Sequence, residues 1–520
     1  MSNRSNDELF LLIKSLNKSE KRLFKLFAQR HTFNSSLKIV QLFDAIEKMD
    51  DYQEDQLLKK NKNLNKEQLP NLKAHLYKQI LNALRQSPDD SELDILFQEQ
   101  MGNARILYNK ALYGQALKIL DKLKSTAIRY NHHTYALQAL NFEKKIESLH
   151  ITRSFDSKAQ QLTDDFHKII KPISNSGLWS NLALQLYNWF ISFGHSRNED
   201  EQNKIKFFFG TEKQKIPEPT SFYESLYAYQ AYCWYAYIQQ DFLLYYRYAA
   251  KWVWHFERQA EMIPIEKTQY LKGYHTLLTA LYILGHHQKL SARFTYFKSI
   301  FPSQISLNNT NEKVQFHLYA YQSAINLYFT EGRFSDGLII VHEIELFLKE
   351  FNNFIDPYRV LIFYYKIASL YFGHGDYESS IEYLTKIIHW KTNLRSDLQC
   401  YARLLHLISH YELGNERLVE YLLKSVYRFM SRMEHLGAVE EAVFTFLRKS
   451  FQIDTRQAAE AFNSLLLILK EYEKDSLQRR SFLYLDIVSW LESKLGRRPV
   501  QAVIQEKFKR NKYGTKNKMR

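Results

Sequence analysis

An all-α fold, an α-solenoid of stacked helical hairpins behind an N-terminal helical bundle, is predicted by three observations. The 520-residue chain holds only 15 glycines and 9 prolines, so it has few turns and few helix breakers. It is rich in Leu, Lys, Glu, Gln and Ala, which favour helix. One sequence pattern also returns at a near-constant interval, the mark of a repeat architecture. A hydrophobic content of 45% with 24% charged residues belongs to a folded chain and excludes wholesale disorder.

The clearest copy of the pattern is Tyr365–Ile388, YKIASLYFGHGDYESSIEYLTKII. Ile367, Ala368 and Tyr371 line one face of a first helix, Gly375-Asp376-Tyr377 makes the turn, and Ser380, Leu384 and Ile387 face inward from a second. Upstream, Ala324, Ile325 and Tyr328 lead to a turn at Gly332 and Phe334, with Gly337 beyond it. Downstream, Gly414 precedes Val419, Leu423 and Val426. A fourth copy places Ala104 and Leu107 before Ala111, and Tyr113, Ala116 and Leu120 after it. Two degenerate copies turn near Gln240-Asp241-Phe242 and Gly285–Gln288. The turn residues Ala111, Gln240, His286, Gly332, Gly375 and Gly414 are separated by 129, 46, 46, 43 and 39 residues. The first interval spans about three units, which predicts further hairpins around Arg153-Ser154-Phe155 and Ser192–Asn203. Another is expected around Asp454–Phe462.

Each helix pair carries an apolar stripe that it buries only by stacking on the next pair. Small residues at Ala116, Gly337 and Ser380 permit close approach, and Tyr113, Phe334 and Tyr377 fill the space beside the turn. Over roughly residues 101–469 this arrangement resembles the tetratricopeptide repeat (TPR) family. The interval of ~40–46 residues exceeds the about 34 of a standard TPR, which implies longer helices or connections. The resemblance implies a concave groove for a peptide or protein partner, lined by Tyr319, Gln322, Asn326, Phe329, Ile362, Tyr365, Ser369 and Phe372. TPR repeats that clamp a peptide carboxylate place Lys and Asn on this inner face. The matching positions are Gln322 and Asn326 in one repeat, Tyr365 and Ser369 in the next, and only Asn326 fits. A more apolar or aromatic ligand is therefore expected.

Between Phe222 and Phe256 there are fifteen aromatic residues. They read either as the filling of one thick hairpin buried on both sides, or as Tyr and Trp anchors that protrude into the groove. Ile216–Thr220, IPEPT, is expected as a loop leading into this belt.

The formal net charge of +15 is concentrated at the ends. Met1–Gln86 carries sixteen basic against ten acidic residues, Arg497–Arg520 nine against one, and the body between them is almost balanced. Residues 1–86 leave the repeat pattern and read as several short helices, with a helix start at Ser19 and a turn at Asp51-Tyr52. They form either a cap on the solenoid or a helix-turn-helix or winged-helix module, in which Lys73, Lys78 and Arg85 would meet nucleic acid. Residues 87–475 are assigned to the solenoid, 476–496 to a terminal capping helix, and 497–520 to a basic, disordered tail. That tail is a second place where nucleic acid or an acidic partner could attach.

Chemistry is sparse. No phosphate-binding loop, dinucleotide glycine pattern or nucleophile elbow occurs. His406 and His410 share a helix face, yet no Glu follows His406 and no third ligand is placed, so they read as a packed pair rather than a metal site. His132-His133 and His286-His287 fall at expected turns and read as solvated. Cys233 and Cys400 stand apart, as two buried free thiols of a reducing compartment would. No apolar run approaches the ~20 residues of a membrane helix. The expectation is a cytoplasmic, non-catalytic scaffold or adaptor with no cofactor and no membrane contact, binding protein or peptide. The alternative is a regulator that joins a nucleic-acid-binding N-terminal module to a ligand-sensing repeat domain.

Overall fold

The computed structural model describes residues 7–30, 34–60, 65–85, 93–150, 156–301, 303, 305–307, 309–390, 396–450, 455–475 and 477–514. Among these there are helices and turns and no strand. The all-α expectation holds, and no β-wing accompanies the N-terminal helices among the described residues. Nor is any helix there long and apolar enough to cross a membrane. The chain divides into two compact units, Met1–Ala127 with Gln138–Arg153, and Ile128–Leu137 with Ser154–Arg520.

In the first unit, α1 (Glu8–Ser15), α2 (Lys18–Arg30), α3 (Asn34–Glu47), α4 (Glu54–Lys60) and α5 (Leu69–Leu84) close around one core. Ile13, Phe24, Leu42, Phe43, Ile46, Leu76 and Ile80 are fully buried in it. The Asn17 side chain accepts the Glu20 amide at 2.9 Å while the Glu20 carboxylate accepts the Asn17 amide at 2.7 Å. This reciprocal cap starts α2 just ahead of the expected Ser19. The α6 (Leu93–Asn109) and α7 (Tyr113–Arg129) pair follows the repeat pattern, with Ala104, Ala116 and Leu120 fully buried. Against α7, α8 (His133–His150) contributes Glu143, whose carboxylate lies 2.9 Å from the buried Lys124 ammonium.

The second unit opens with α9 (Asp156–Phe193), α10 (Glu199–Gln214), α11 (Phe222–Ile238) and α12 (Phe242–Arg258). There follow α13 (Lys267–Ile283), α14 (His287–Ile300), α15 (Thr310–Glu331), the broken pair α16 (Phe334–Ile339) and α17 (Val341–Glu350), α18 (Pro357–His374) and α19 (Tyr377–Ile388). The chain continues through α20 (Ser396–Glu412), α21 (Glu416–Arg432), α22 (Ala438–Ser450), α23 (Thr455–Tyr472), α24 (Arg479–Tyr484), α25 (Ile487–Leu495) and α26 (Val500–Gly514). The first helices of successive hairpins, α13, α15, α18 and α20, pack on one another in order, and the second helices α14, α16 and α19 each pack against their own first helix and the next. One continuous core runs through these hairpins, and Ile325, Ile367, Ala368, Leu384, Ile387 and Val419 are fully buried in it.

One kind of turn joins the two helices of each hairpin. The amides of Leu112, Asp241, His286, Arg333, Asp376 and Asn415 donate to the carbonyls of Leu107, Ala236, Leu281, Tyr328, Tyr371 and His410 at 2.9–3.1 Å. The residue before each donor, Ala111, Gln240, Gly285, Gly332, Gly375 or Gly414, is left-handed, with φ between 57° and 98°. This bond, from the residue after the left-handed one to the carbonyl five before it, satisfies the orphan carbonyls of the last turn. At two sites the same residue also starts the next helix. Asp376 accepts the Ser379 amide at 3.0 Å, and Asp241 accepts the Leu244 amide at 2.9 Å. The turn expected at His286 lies one residue earlier, because Gly285 takes the left-handed position.

Four expectations need correction or lie outside the described residues. The interval after Ala111 is not filled by regular hairpins, because α9 runs unbroken for 38 residues through Pro172. Its end at Gly194 does fall within Ser192–Asn203. Residues 151–155 and 451–454 lie outside the described set, and Thr455–Phe462, expected at a turn, is helical. The stretch read as one capping helix holds two short ones, α24 and α25. The basic segment read as a disordered tail forms α26 as far as Gly514, with Val500, Val503 and Ile504 buried.

Close packing at the hairpin contacts depends on small residues. A Cβ at Gly373 would lie 2.4 Å from the ring of Phe334, which is buried under it. Gly373→Ala is expected to lower unfolding free energy by about 1–3 kcal/mol, and Asp376→Ala, which removes a cap, by about 1 kcal/mol. Urea denaturation of each variant checks both values.

Candidate functional site

The inner faces of α13, α15 and α18 border a cavity of about 1660 Å³. All eight inner-face residues singled out from sequence lie on its wall: Tyr319, Gln322, Asn326 and Phe329 from α15, and Ile362, Tyr365, Ser369 and Phe372 from α18. They meet there because helical spacing puts residues three and four apart on one face. Tyr319, Gln322, Asn326, Tyr365 and Phe372 are largely buried, and the Tyr365 hydroxyl donates to the Tyr484 carbonyl at 3.0 Å.

The aromatic belt divides between its two readings. α11 is packed between α9 and α12, so most of its rings fill the stack. Tyr232 lies on Tyr248 at 4.1 Å and Phe209 on Tyr235 at 4.2 Å, both parallel. Trp234, Tyr237, Tyr245 and Trp252 also reach the cavity wall.

Among the charged or titratable residues on that wall that were not singled out from sequence are Lys272 and His275 on α13, and Arg359 and Lys366 on α18. Lys366 was legible, because it falls four residues after Ile362 on the stripe that carries Ser369. Lys272 and His275 sit in the most degenerate repeat, where no register was assigned. The Lys366 ammonium donates to the Asn326 side-chain oxygen at 2.5 Å and lies 5.4 Å from the Phe329 ring centre. Burial lowers its pKa to about 8. Lys272 is lowered too, by burial first and then by the Arg359 charge. His275 stacks on Tyr319 at 4.3 Å. Burial, reinforced by Arg359, Lys366 and Lys272, drives it down to about 3, so it is neutral. These groups keep some accessible surface because they face the cavity, although protein surrounds them. The Arg359 guanidinium lies 5.5 Å from the Tyr319 ring centre.

α26 supplies a further part of the wall through Val500, Ile504, Lys507, Phe508 and Arg510. Gln505 donates to the Gly332 carbonyl at 2.9 Å, and the Gln501 side-chain oxygen accepts the Ser335 amide at 3.0 Å. A Cβ at Gly332 would sit 2.8 Å from the Gln505 amide nitrogen, so that turn glycine also lets α26 approach.

The remaining sequence candidates are placed as follows. Lys73 is paired with Asp7, and its ammonium donates to the Tyr52 hydroxyl at 2.9 Å, which commits that charge to the N-terminal core. Lys78 and Arg85 are exposed. His406 and His410 pack edge to face at 4.6 Å on half-buried positions. Among the described residues no group of three or more His, Cys, Asp or Glu is placed to hold a metal ion. His132, His133 and His287 are half-buried rather than solvated, and His287 lies 2.8 Å from the Glu331 carboxylate. Cys233 and Cys400 are buried free thiols; Cys233 reaches the cavity wall, and burial pushes Cys400 up to about 12.

The fold and the site define a helical-repeat protein with a large groove on the inner face of its repeats. No family model matches the chain, and no curated protein matches it. Among solved structures it is similar to a Rap protein complexed with Competence and Sporulation Factor, at 11% identity and a TM-score of 0.39. That similarity covers 76% of this chain and 98% of the Rap chain.

Lys366 has a consequence for stability. Its pKa is about 8 folded against 10.5 in the free side chain, so below about pH 8 the folded state carries a charge that burial penalises. Between these values the unfolded chain binds more protons, and the contribution of this group to stability rises with pH. Lys366→Met is expected to be more stable than the parent at neutral pH, with the difference closing as pH approaches 10.5. Denaturation midpoints across that range check this.

Proposed function

We propose that the chain is a non-catalytic binding protein, a TPR-like scaffold or adaptor whose inner groove takes a peptide or an extended segment of a protein partner. The observation that carries this reading is the cavity of about 1660 Å³ bordered by three consecutive first helices. Its volume exceeds the roughly 300–1,000 Å³ of ordinary small-molecule pockets. Aromatic and aliphatic side chains alternate on its wall with Gln322, Asn326 and Ser369, a lining suited to apolar side chains and backbone amides together. The two unpaired thiols support a reducing compartment, and we assign the protein to the cytoplasm.

Filling the groove tests this. Ile362→Arg and Ser369→Trp are expected to abolish affinity capture of partners that the parent retains, while circular dichroism stays unchanged. The same partners captured by parent and by both folded variants would place binding elsewhere.

A further inference from the structure

We infer that the groove contains an anion-recognition subsite, formed by Lys272, Arg359 and Lys366 around His275, which takes a carboxylate of a peptide with apolar flanking side chains. The inference rests on the peptide-binding reading above and names the chemistry of the ligand.

The charge balance of the wall carries the argument. Lys272, Arg359 and Lys366 line one cavity, and among the described residues none of them forms an ion pair. Their influence on one another and on His275 is repulsive: Arg359 acts against Lys272, and all three act against protonation of His275. Among the described residues, the acids on the same wall, Asp356, Glu473 and Asp486, form no ion pair with these three cations. Asp356 accepts the Tyr358 amide at 2.8 Å at the start of α18, and Asp486 accepts the Ser489 amide at 2.9 Å at the start of α25. Glu473 lies in the fields of Asp486 and Lys507. Cations held in a protein-walled space without a counter-charge are costly. Arginine cannot relieve that cost by losing its proton.

A second, independent observation points to a ligand. His275 Nδ1 is buried with no hydrogen-bond partner; this enclosed, neutral imidazole stacks on Tyr319, which Arg359 also approaches, and it feels the charge of all three cations. A carboxylate there would accept from the Arg359 fork and the lysines, and would offer His275 the partner it lacks. Phe329, Ile362 and Phe372 on the same wall suit apolar side chains beside it. These cations are not at the positions where a TPR carboxylate clamp keeps its Lys and Asn, so the apolar ligand expected from those positions alone gains a charge.

The test uses the full chain and N-acetylated hexapeptide pools built from Ala, Leu, Phe and Tyr. One pool ends in a neutral amide, one in a free carboxylate, and one in an amide with a single internal Asp. Fluorescence anisotropy is expected to show one or both acidic pools binding at least about tenfold more tightly than the neutral pool, the worth of one charge-assisted hydrogen bond. That preference is expected to vanish in Arg359→Gln and in Lys366→Met, with neutral-pool affinity retained. Which acidic pool wins assigns the anion to a peptide C-terminus or a side chain. Equal binding of all three pools overturns the subsite and leaves the peptide-binding reading standing; no binding by any pool overturns both. Displacement of the acidic pools by equimolar inorganic phosphate overturns the carboxylate assignment.

Discussion

The hydrogen bond that closes each hairpin turn ties the architecture together. The amide after the left-handed residue reaches back to the carbonyl five before it, and this is possible only when that residue adopts positive φ. From that one bond follow the direction in which the second helix leaves and its place against two successive first helices. Glycine takes the left-handed position at Gly285, Gly332, Gly375 and Gly414, where no Cβ opposes it. Ala111 and Gln240 take it against their intrinsic preference. At Gln240 the side chain is buried and donates to the Ser196 carbonyl at 3.0 Å, which offsets part of the strain.

The turn is also why so much of the fold was legible. A left-handed position followed by Asp or Asn is a local signal, and it survives where the apolar stripe has drifted, as around Gln240-Asp241. The inner-face residues were reached by counting helical register from those turns. The same counting fails where no turn marks a beginning. α9 crosses Pro172 without breaking, and nothing local to that segment announces 38 residues of helix. In α26, Val500, Val503, Ile504 and Phe508 keep a helical spacing, but the surrounding basic residues outweigh so short a stripe until a groove is present to receive it.

The groove shows the same division between local and non-local information. Its aromatic and aliphatic lining belongs to single helices and can be read helix by helix. Its charge cluster belongs to none, because Lys272 and Lys366 lie 94 residues apart in the sequence and come together only when α13, α15 and α18 stack. On one helix each lysine reads as an ordinary solvated cation. Enclosure and the lack of a counter-ion change its meaning, and both are properties of the assembled wall.

Most contacts of a hairpin are with its neighbours in the row, so stability passes along it largely as a sum of local joints, to which α26 adds a tie from far along the chain to α15 and α18. Like charges on α13 and α18, with α15 between them, place repulsion across two adjacent joints. A ligand that cancels this charge would add its binding free energy to those joints, and the mechanical stiffness of the repeat region would then report on its presence.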